Sequence, residues 1–246
     1  MAYNIDFNKE VVIITGGAMG IGAAMCEKFA EANAQVVIFD VCEKEAASNT
    51  IEACKKYGIE PFYLKVDISN EEAVKENVKM VADKFGHIDM LINNAGINKD
   101  WDLSYNVNVK GTFYMSEACK EYLEKVKGRI VVVTSASVFS GGTQGFPAYN
   151  ATKAGSYALG MYLARNYAKS KIRVNTIAPA VIMSKMFLDR YGSEEAIHEH
   201  YRDIMPMGSI GYPEDIANVA LFLCSHLSDY LTGQVITADG GRSSIG

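Results

Sequence analysis

Tyr149 and Lys153 stand four residues apart in AYNATKAG (148–155). On a helix that spacing puts a phenol and an ammonium on one face, a turn apart. A phenol titrates near ~10 in water and is by itself a poor base at neutral pH. A cation beside it, on the protein or on a ligand, favours the phenolate. The pair is therefore expected to shuttle a proton to and from a hydroxyl or carbonyl oxygen. Lys153 also brings three donors that can hold a ligand's hydroxyls. Taken alone, a Tyr–Lys pair at this spacing is equally at home on a solvated helix face, so its neighbours matter. Ser135 and Ser137 end an apolar run, where side chains emerge toward a ligand crevice, and either hydroxyl can bind a substrate oxygen. Asn108, in the helical stretch before that run, can anchor a water relay to Lys153.

A second group of residues reads as a phosphate cradle. In TGGAMGIG (15–22), Gly16, Gly20 and Gly22 let the backbone turn tightly and approach a ligand, with Met19 and Ile21 between them. The helix that follows offers free N–H groups and the positive end of its dipole to a pyrophosphate. Asp40 closes the next apolar run. An acid there accepts from ribose hydroxyls and repels the 2′-phosphate of NADP. Neither Met19 nor Val41 supplies a cation for that phosphate, so NAD is the expected cofactor. Asp67, in VDIS, can accept from an adenine amino group while Ile68 adds a backbone contact; a turn or capping role fits Asp67 nearly as well.

These residues need a scaffold, and the hydrophobic pattern supplies one. VVIIT (11–15), QVVIFD (35–40), PFYLKVD (61–67), IDMLINNAG (88–96), GRIVVVTS (128–135), KIRVNTIAP (171–179) and QVITADGG (234–241) are short runs, most of them continuous and Val/Ile-rich, as in strands covered on both faces. Helical patterns fall between them at 20–32, 70–85, 105–126 and 148–169, the second starting after Ser69 as N-cap with Glu72 three residues on. Alternation of this kind predicts an α/β fold: one doubly wound, Rossmann-like domain over 1–246 with a parallel sheet of about seven strands. The least regular stretch, 183–212, is expected to be a lid over the site.

The 246 residues are 49% apolar and 22% charged with a net charge of −5, and no basic stripe is present, which argues against nucleic-acid binding. No run approaches a membrane span, and the polar start MAYNIDFNKE has no apolar signal region. Five scattered cysteines without a CxxC pair fit reduced thiols in the cytoplasm. His198 and His200 form H-E-H, but residues two apart point to different sides of a helix, and no Cys/His cluster has metal spacing; no metal is expected.

TGGAMGIG, NNAG (93–96), NVKG (108–111), a serine ending the fifth strand, YNATK (149–153) and GQVITADGG (233–241) occur in order along nearly the whole chain. Together they resemble the short-chain dehydrogenase/reductase family. The resemblance implies NAD(P)-linked interconversion of alcohols and ketones, usually by a tetramer or dimer. It makes Tyr149 the acid/base, Lys153 its ribose-binding partner and Asn108 the proton-relay asparagine. It puts Asn94, Ala95 and Gly96 under the cofactor, Ile182 at the carboxamide and Ser184 at the nicotinamide end.

Departures from the family pattern shape the remaining expectations. The commonest serine spacing falls on Ala136; SVFSG (137–141) resembles the sequence after the catalytic serine, so Ser137 is preferred and Ser135 is the fallback. Ala180 replaces a usual glycine, which predicts an ordinary backbone conformation there. The segment INKDWDLSY before Asn108 is short and leaves one side of the pocket more open. Trp101, the only tryptophan, is equally a packing or a rim residue. The Met- and aromatic-rich stretch 183–208 favours a lipophilic secondary alcohol or ketone, hydroxysteroid-like, although such a stripe also serves plain packing. Lys185, Arg190 and Arg202 can instead receive an acidic group, and Thr143 and Gln144 the hydroxyls of a polyol. A 3-oxoacyl carrier-protein reductase and a non-catalytic NAD-sensing module are the competing readings; Asp40 and the lack of a basic docking run argue against the first, the intact Tyr149–Lys153 pair against the second.

Overall fold

The computed structural model describes residues 5–141 and 145–244, so Thr143 and Gln144 lie outside the described residues. The apolar runs become β1 (Val11–Thr15), β2 (Gln35–Asp40), β3 (Phe62–Lys65), β4 (Met90–Asn93), β5 (Arg129–Val133), β6 (Arg173–Pro179) and β7 (Val235–Ala238). They pair in parallel in the order β3-β2-β1-β4-β5-β6-β7, with Ile13 opposite both Val37 and Leu91. The winding reverses between β1 and β4, which opens a crevice at the carboxyl ends of the central strands.

Strand alternation divides the core into two layers. Val12 and Ile14 of β1 face α1 (Gly20–Glu31), α2 (Ser48–Lys55) and α9 (Pro213–Cys224), whereas Val11 and Ile13 face α3 (Glu71–Phe85), α5 (Thr112–Val126) and α6 (Pro147–Tyr167). All four side chains are buried, and each such burial stabilises the fold by roughly 1.5–3 kcal/mol.

Several details depart from the sequence expectations. The N-cap of α3 is Asn70, whose Oδ1 accepts from Ala73 N at 3.1 Å, because the Ser69 hydroxyl is engaged in donating to Asp67. The helix expected over 105–126 begins earlier, as α4 (Trp101–Tyr105), passes through a π-helical turn at Asn106–Gly111 and continues as α5. Helices α2 and α9 did not stand out in the sequence. Pro213 starts α9, the Asp215 carboxylate accepts from Tyr212 N at 2.7 Å, and Ile216, Ala217, Ala220, Leu223 and Cys224 are buried along its inner side. The stretch 183–212 holds two short helices, α7 (Lys185–Tyr191) and α8 (Glu194–Tyr201), capped by Ser184 and Ser193. They enclose a small apolar cluster of their own around Ile197, Met205 and Ile210. Among the described residues no helix is long and apolar enough to cross a membrane.

Candidate active site

A cavity of about 830 Å³ opens at the carboxyl ends of the strands. At one end the glycine turn forms its floor. Gly16 and Gly20 adopt left-handed φ of 65° and 59°, which only glycine takes without strain. A side chain on Gly22 would put its Cβ 2.0 Å from Gly16 O, so helix and turn are in backbone contact. The first turn of α1 has no capping side chain and no acid, leaving its N–H groups and dipole open beside the exposed Met19 and beside Ile21. Asp40 stands at the cavity wall, Oδ2 accepting from Ala18 N at 3.0 Å and Oδ1 from Cys42 N at 3.3 Å. Asp67 and Ile68 line the same end, with Asp67 closing a local turn by accepting from Ser69 N at 2.9 Å. An uncapped helix start beside a fixed carboxylate suits a dinucleotide: donors for its pyrophosphate and an acceptor for a ribose.

The centre is a strip from the end of β4. Asn94 donates to Thr15 O at 2.9 Å and Gly16 O at 3.1 Å, stitching β4 to the glycine turn, and Ala95 N donates to Thr15 Oγ1 at 3.0 Å. Gly96 lets Lys153 approach closely: a Cβ there would lie 2.7 Å from Lys153 Nζ and displace the ammonium. Lys153 is 5% exposed, and its ammonium donates to Val133 O at 2.9 Å. Burial lowers its pKa from the ordinary 10.5 to about 8. Tyr149 lies one turn away on α6 with its ring centroid 5.9 Å from Lys153 Nζ. Burial pushes the phenol above its ordinary value, and a hydrogen bond from Ser135 pulls the other way. The expected lowering of the phenol by Lys153 is therefore not what the protein alone produces: loss of hydration disfavours the charged form of both groups.

The two candidate serines are placed differently. Ser135 lines the cavity and is hydrogen-bonded to Tyr149, whereas Ser137 does not line it and its Oγ is buried without a partner among the described residues. The cause is local: the chain leaves β5 through a 3-10 turn at Ala136–Val138, with Ser135 as its N-cap accepting from Ser137 N at 3.2 Å. Asn108 sits in the π-helical turn, one layer behind the cavity. Its Oδ1 accepts from Ile97 N at 2.8 Å while its Nδ2 donates to Ile97 O and to Thr152 Oγ1, each at 2.9 Å. The side chain clamps the 96–97 strip to α6 and has no direct bond to Lys153 in this arrangement.

Side chains shape the far end. Pro179, Ala180 and Ile182 lead from β6 to Ser184, which lines the cavity and caps α7. Ala180 is absent from the positive-φ residues, as its sequence implied. Met183, Met186 and Phe187 line the cavity, as do Ile97, Leu103 and Val107. Lys185, Arg190 and Arg202 do not line it; besides Lys153, Lys99 does, in a segment whose polar sequence gave no such signal. Trp101 starts α4 away from the lining and is 57% exposed. His198 bonds to the Tyr212 hydroxyl at 3.0 Å and His200 packs on Tyr191, so each has a separate structural use.

Comparison with known proteins places this architecture. A family model described as enoyl-(acyl carrier protein) reductase matches residues 16–243. The chain is 34% identical over 248 residues to the 3-oxoacyl-[acyl-carrier-protein] reductase FabG of Aquifex aeolicus (strain VF5), covering 96% of this chain and 98% of the relative. It is 36% identical over 250 residues to BbsD, the (2S)-[(R)-hydroxy(phenyl)methyl]succinyl-CoA dehydrogenase subunit of Thauera aromatica, covering 97% and 98%. The solved structure of NAD+-bound xylitol dehydrogenase superposes with a TM-score of 0.88 at 27% identity, covering 96% of this chain and 99% of that one. The chain belongs to the short-chain dehydrogenase/reductase family. It is an oxidoreductase acting on CH–OH groups, in a family that uses NAD or NADP.

Proposed function

We propose that the protein interconverts a secondary alcohol and a ketone with NAD, on a small lipophilic, hydroxysteroid-like substrate. The observation that carries this reading is one cavity: it joins an uncapped helix start, the Asp40 carboxylate, the Ser135–Tyr149–Lys153 group and an apolar wall of Met183, Met186 and Phe187. Gly16, Met19, Gly20, Ile21 and Gly22 would hold the pyrophosphate, Asp40 the adenosine ribose, and Asp67 and Ile68 the adenine. Asn94, Ala95 and Gly96 would lie beneath the cofactor, with Ile182 and Ser184 at its nicotinamide end. When bound, the dinucleotide supplies hydride-transfer chemistry.

The residues do the proton work. Ser135 Oγ holds the substrate oxygen. Tyr149 Oη receives its proton in oxidation and returns it in reduction. The raised phenol pKa favours the protonated form, which is the donor a carbonyl oxygen needs. Lys153 keeps a positive charge one turn below and presents remaining N–H donors to a ribose, and Asn108 holds the strip that lets Lys153 approach Gly96. The reading extends to a homotetramer in the cytoplasm, supported by exposed Phe113, Met161 and Tyr162 on α5 and α6 and by five unpaired thiols. The segment 183–212, which caps the apolar end, acts as the lid.

A second reading, reduction of a 3-oxoacyl thioester, is favoured by the family-model description and the Aquifex relative. Turnover of hydroxysteroids, polyols and 3-oxoacyl thioesters, each with NAD(H) and with NADP(H) and followed by reduced-nicotinamide absorbance, separates the two. Steroid turnover with NAD supports the first reading. Thioester turnover with NADPH and none with steroids replaces it by the second.

A further inference from the structure

We infer that Thr50 and Tyr63 are positioning residues that lock the Asp40 carboxylate in one orientation and thereby set the choice between NAD and NADP. The inference rests on the reading of Asp40 as ribose acceptor. An aspartate at the end of a strand has free χ angles, and one that can swing aside admits a 2′-phosphate despite its charge. Asp40 is not free to swing. Each of its oxygens already accepts one backbone N–H, from Ala18 and from Cys42, which leaves about two of its four acceptor positions for a ligand's diol.

Both donors are themselves gripped. The buried Thr50, on α2, donates its hydroxyl to Ala18 O at 2.8 Å, so Ala18 is held on its carbonyl side by α2 and on its amide side by Asp40. Tyr63, on β3, donates its hydroxyl to Cys42 O at 2.6 Å, which pins the turn whose Cys42 N–H meets Asp40. Two residues outside the glycine turn thus converge, each through one intervening residue, on a single carboxylate. Neither bond is needed to close the sheet, because β2 and β3 already pair from Val37–Phe62 to Asp40–Lys65. What the two bonds fix is the direction of a negative charge, and a fixed charge discriminates against a phosphate where a mobile one relaxes.

The test is calorimetric titration of the purified full chain with NAD+ and with NADP+, for wild type, Thr50→Val, Thr50→Ser, Tyr63→Phe and Asp40→Ala, with melting temperatures as fold control. Thr50→Val and Tyr63→Phe are each expected to weaken NAD+ about fivefold, the worth of one hydrogen bond, while NADP+ affinity holds or rises. Thr50→Ser, which keeps the hydroxyl, is expected to retain the wild-type ratio. Should Thr50→Val fail to fold, Tyr63→Phe, which deletes one oxygen, carries the test alone. Equal weakening toward both dinucleotides, or an unchanged ratio in folded variants, overturns the inference. If Asp40→Ala collapses the ratio and the other variants do not, this inference alone fails; if Asp40→Ala also leaves it unchanged, the reading of Asp40 fails with it.

Discussion

At the end of the cavity proposed for the dinucleotide the shape is set by main chain; at the end proposed for the substrate it is set by side chains on two short helices. Gly16, Gly22 and Gly96 bring backbone against backbone or against Lys153, Gly20 supplies a left-handed turn, and Asn94 bonds the pieces together. Across the cavity, α7 and α8 stand on a cluster of three buried residues, apart from the two layers that flank the sheet. A backbone-built surface tolerates few substitutions and suits a ligand that does not vary. A side-chain-built one can be re-lined without refolding, which suits a substrate that differs among relatives with a common fold.

Variants at the two ends are expected to separate accordingly. The largest effect belongs to the centre, where both ends meet: Tyr149→Phe is expected to lower kcat by roughly 10²–10⁴-fold with dinucleotide affinity unchanged. Undiminished turnover by that variant, measured under saturating cofactor, sinks the proton-transfer role. Gly22→Ala forces a Cβ to 2.0 Å from Gly16 O. It is expected to abolish dinucleotide binding in calorimetry or to cost about 3 kcal/mol or more of stability, as severe backbone clashes do. Gly192→Ala at the other end, where φ is 85° but no atom lies within 4 Å of the new Cβ, is expected to cost only about 1 kcal/mol by the same melt.

Lys153 gives a pH test. Its folded pKa is about 8 against the ordinary 10.5, so between those values the unfolded chain binds more protons and stability rises with pH. Below pH 8 the buried charge costs roughly 3 kcal/mol, and that cost fades as pH climbs through 10.5. Urea unfolding of wild type and Lys153→Met should show the variant's stability advance shrinking from pH 7 to pH 10; a gap that ignores pH contradicts the buried-amine account. Ser135→Ala is expected to lower kcat about 10²-fold, as loss of a hydrogen bond made in the transition state does, whereas Ser137→Ala stays within about twofold. The reverse outcome restores the choice of Ser137 made from SVFSG. The smallest effect is at the substrate end: Phe187→Ala should raise KM about tenfold with kcat little changed.

The sheet was legible because strands covered on both faces leave unbroken Val/Ile runs, and the cofactor-binding candidates from Gly16 to Ser184 all line one cavity: most follow strand ends, where position along a strand fixes position in space, and Tyr149 and Lys153 reach it from α6. The placement of the two candidate serines was harder to read. Counting back from Tyr149 assumes a loop length, whereas the direction of Oγ depends on a 3-10 turn whose cap is Ser135 itself. The phenol's raised pKa was hidden for a similar reason: spacing shows that a cation is near, not how far both groups are removed from water. Helix α2 was missed because SNTIEACK is mostly polar and buries only Thr50, Ile51 and Cys54. Its contribution through Thr50 is a long-range contact that no local pattern announces.

The π-helical turn at Asn106–Gly111 has a consequence for redesign. A wide turn holds one residue more than α-helical winding needs, and removing that residue would rotate everything before it by about 100° relative to α5. Asn108 would then swing off Ile97, and Lys153 would lose the scaffold that presents Gly96 to it. Length changes aimed at broadening the substrates accepted therefore belong upstream, between Asn98 and Tyr105, where the surplus residue behind them acts as a rotational buffer for the chemistry.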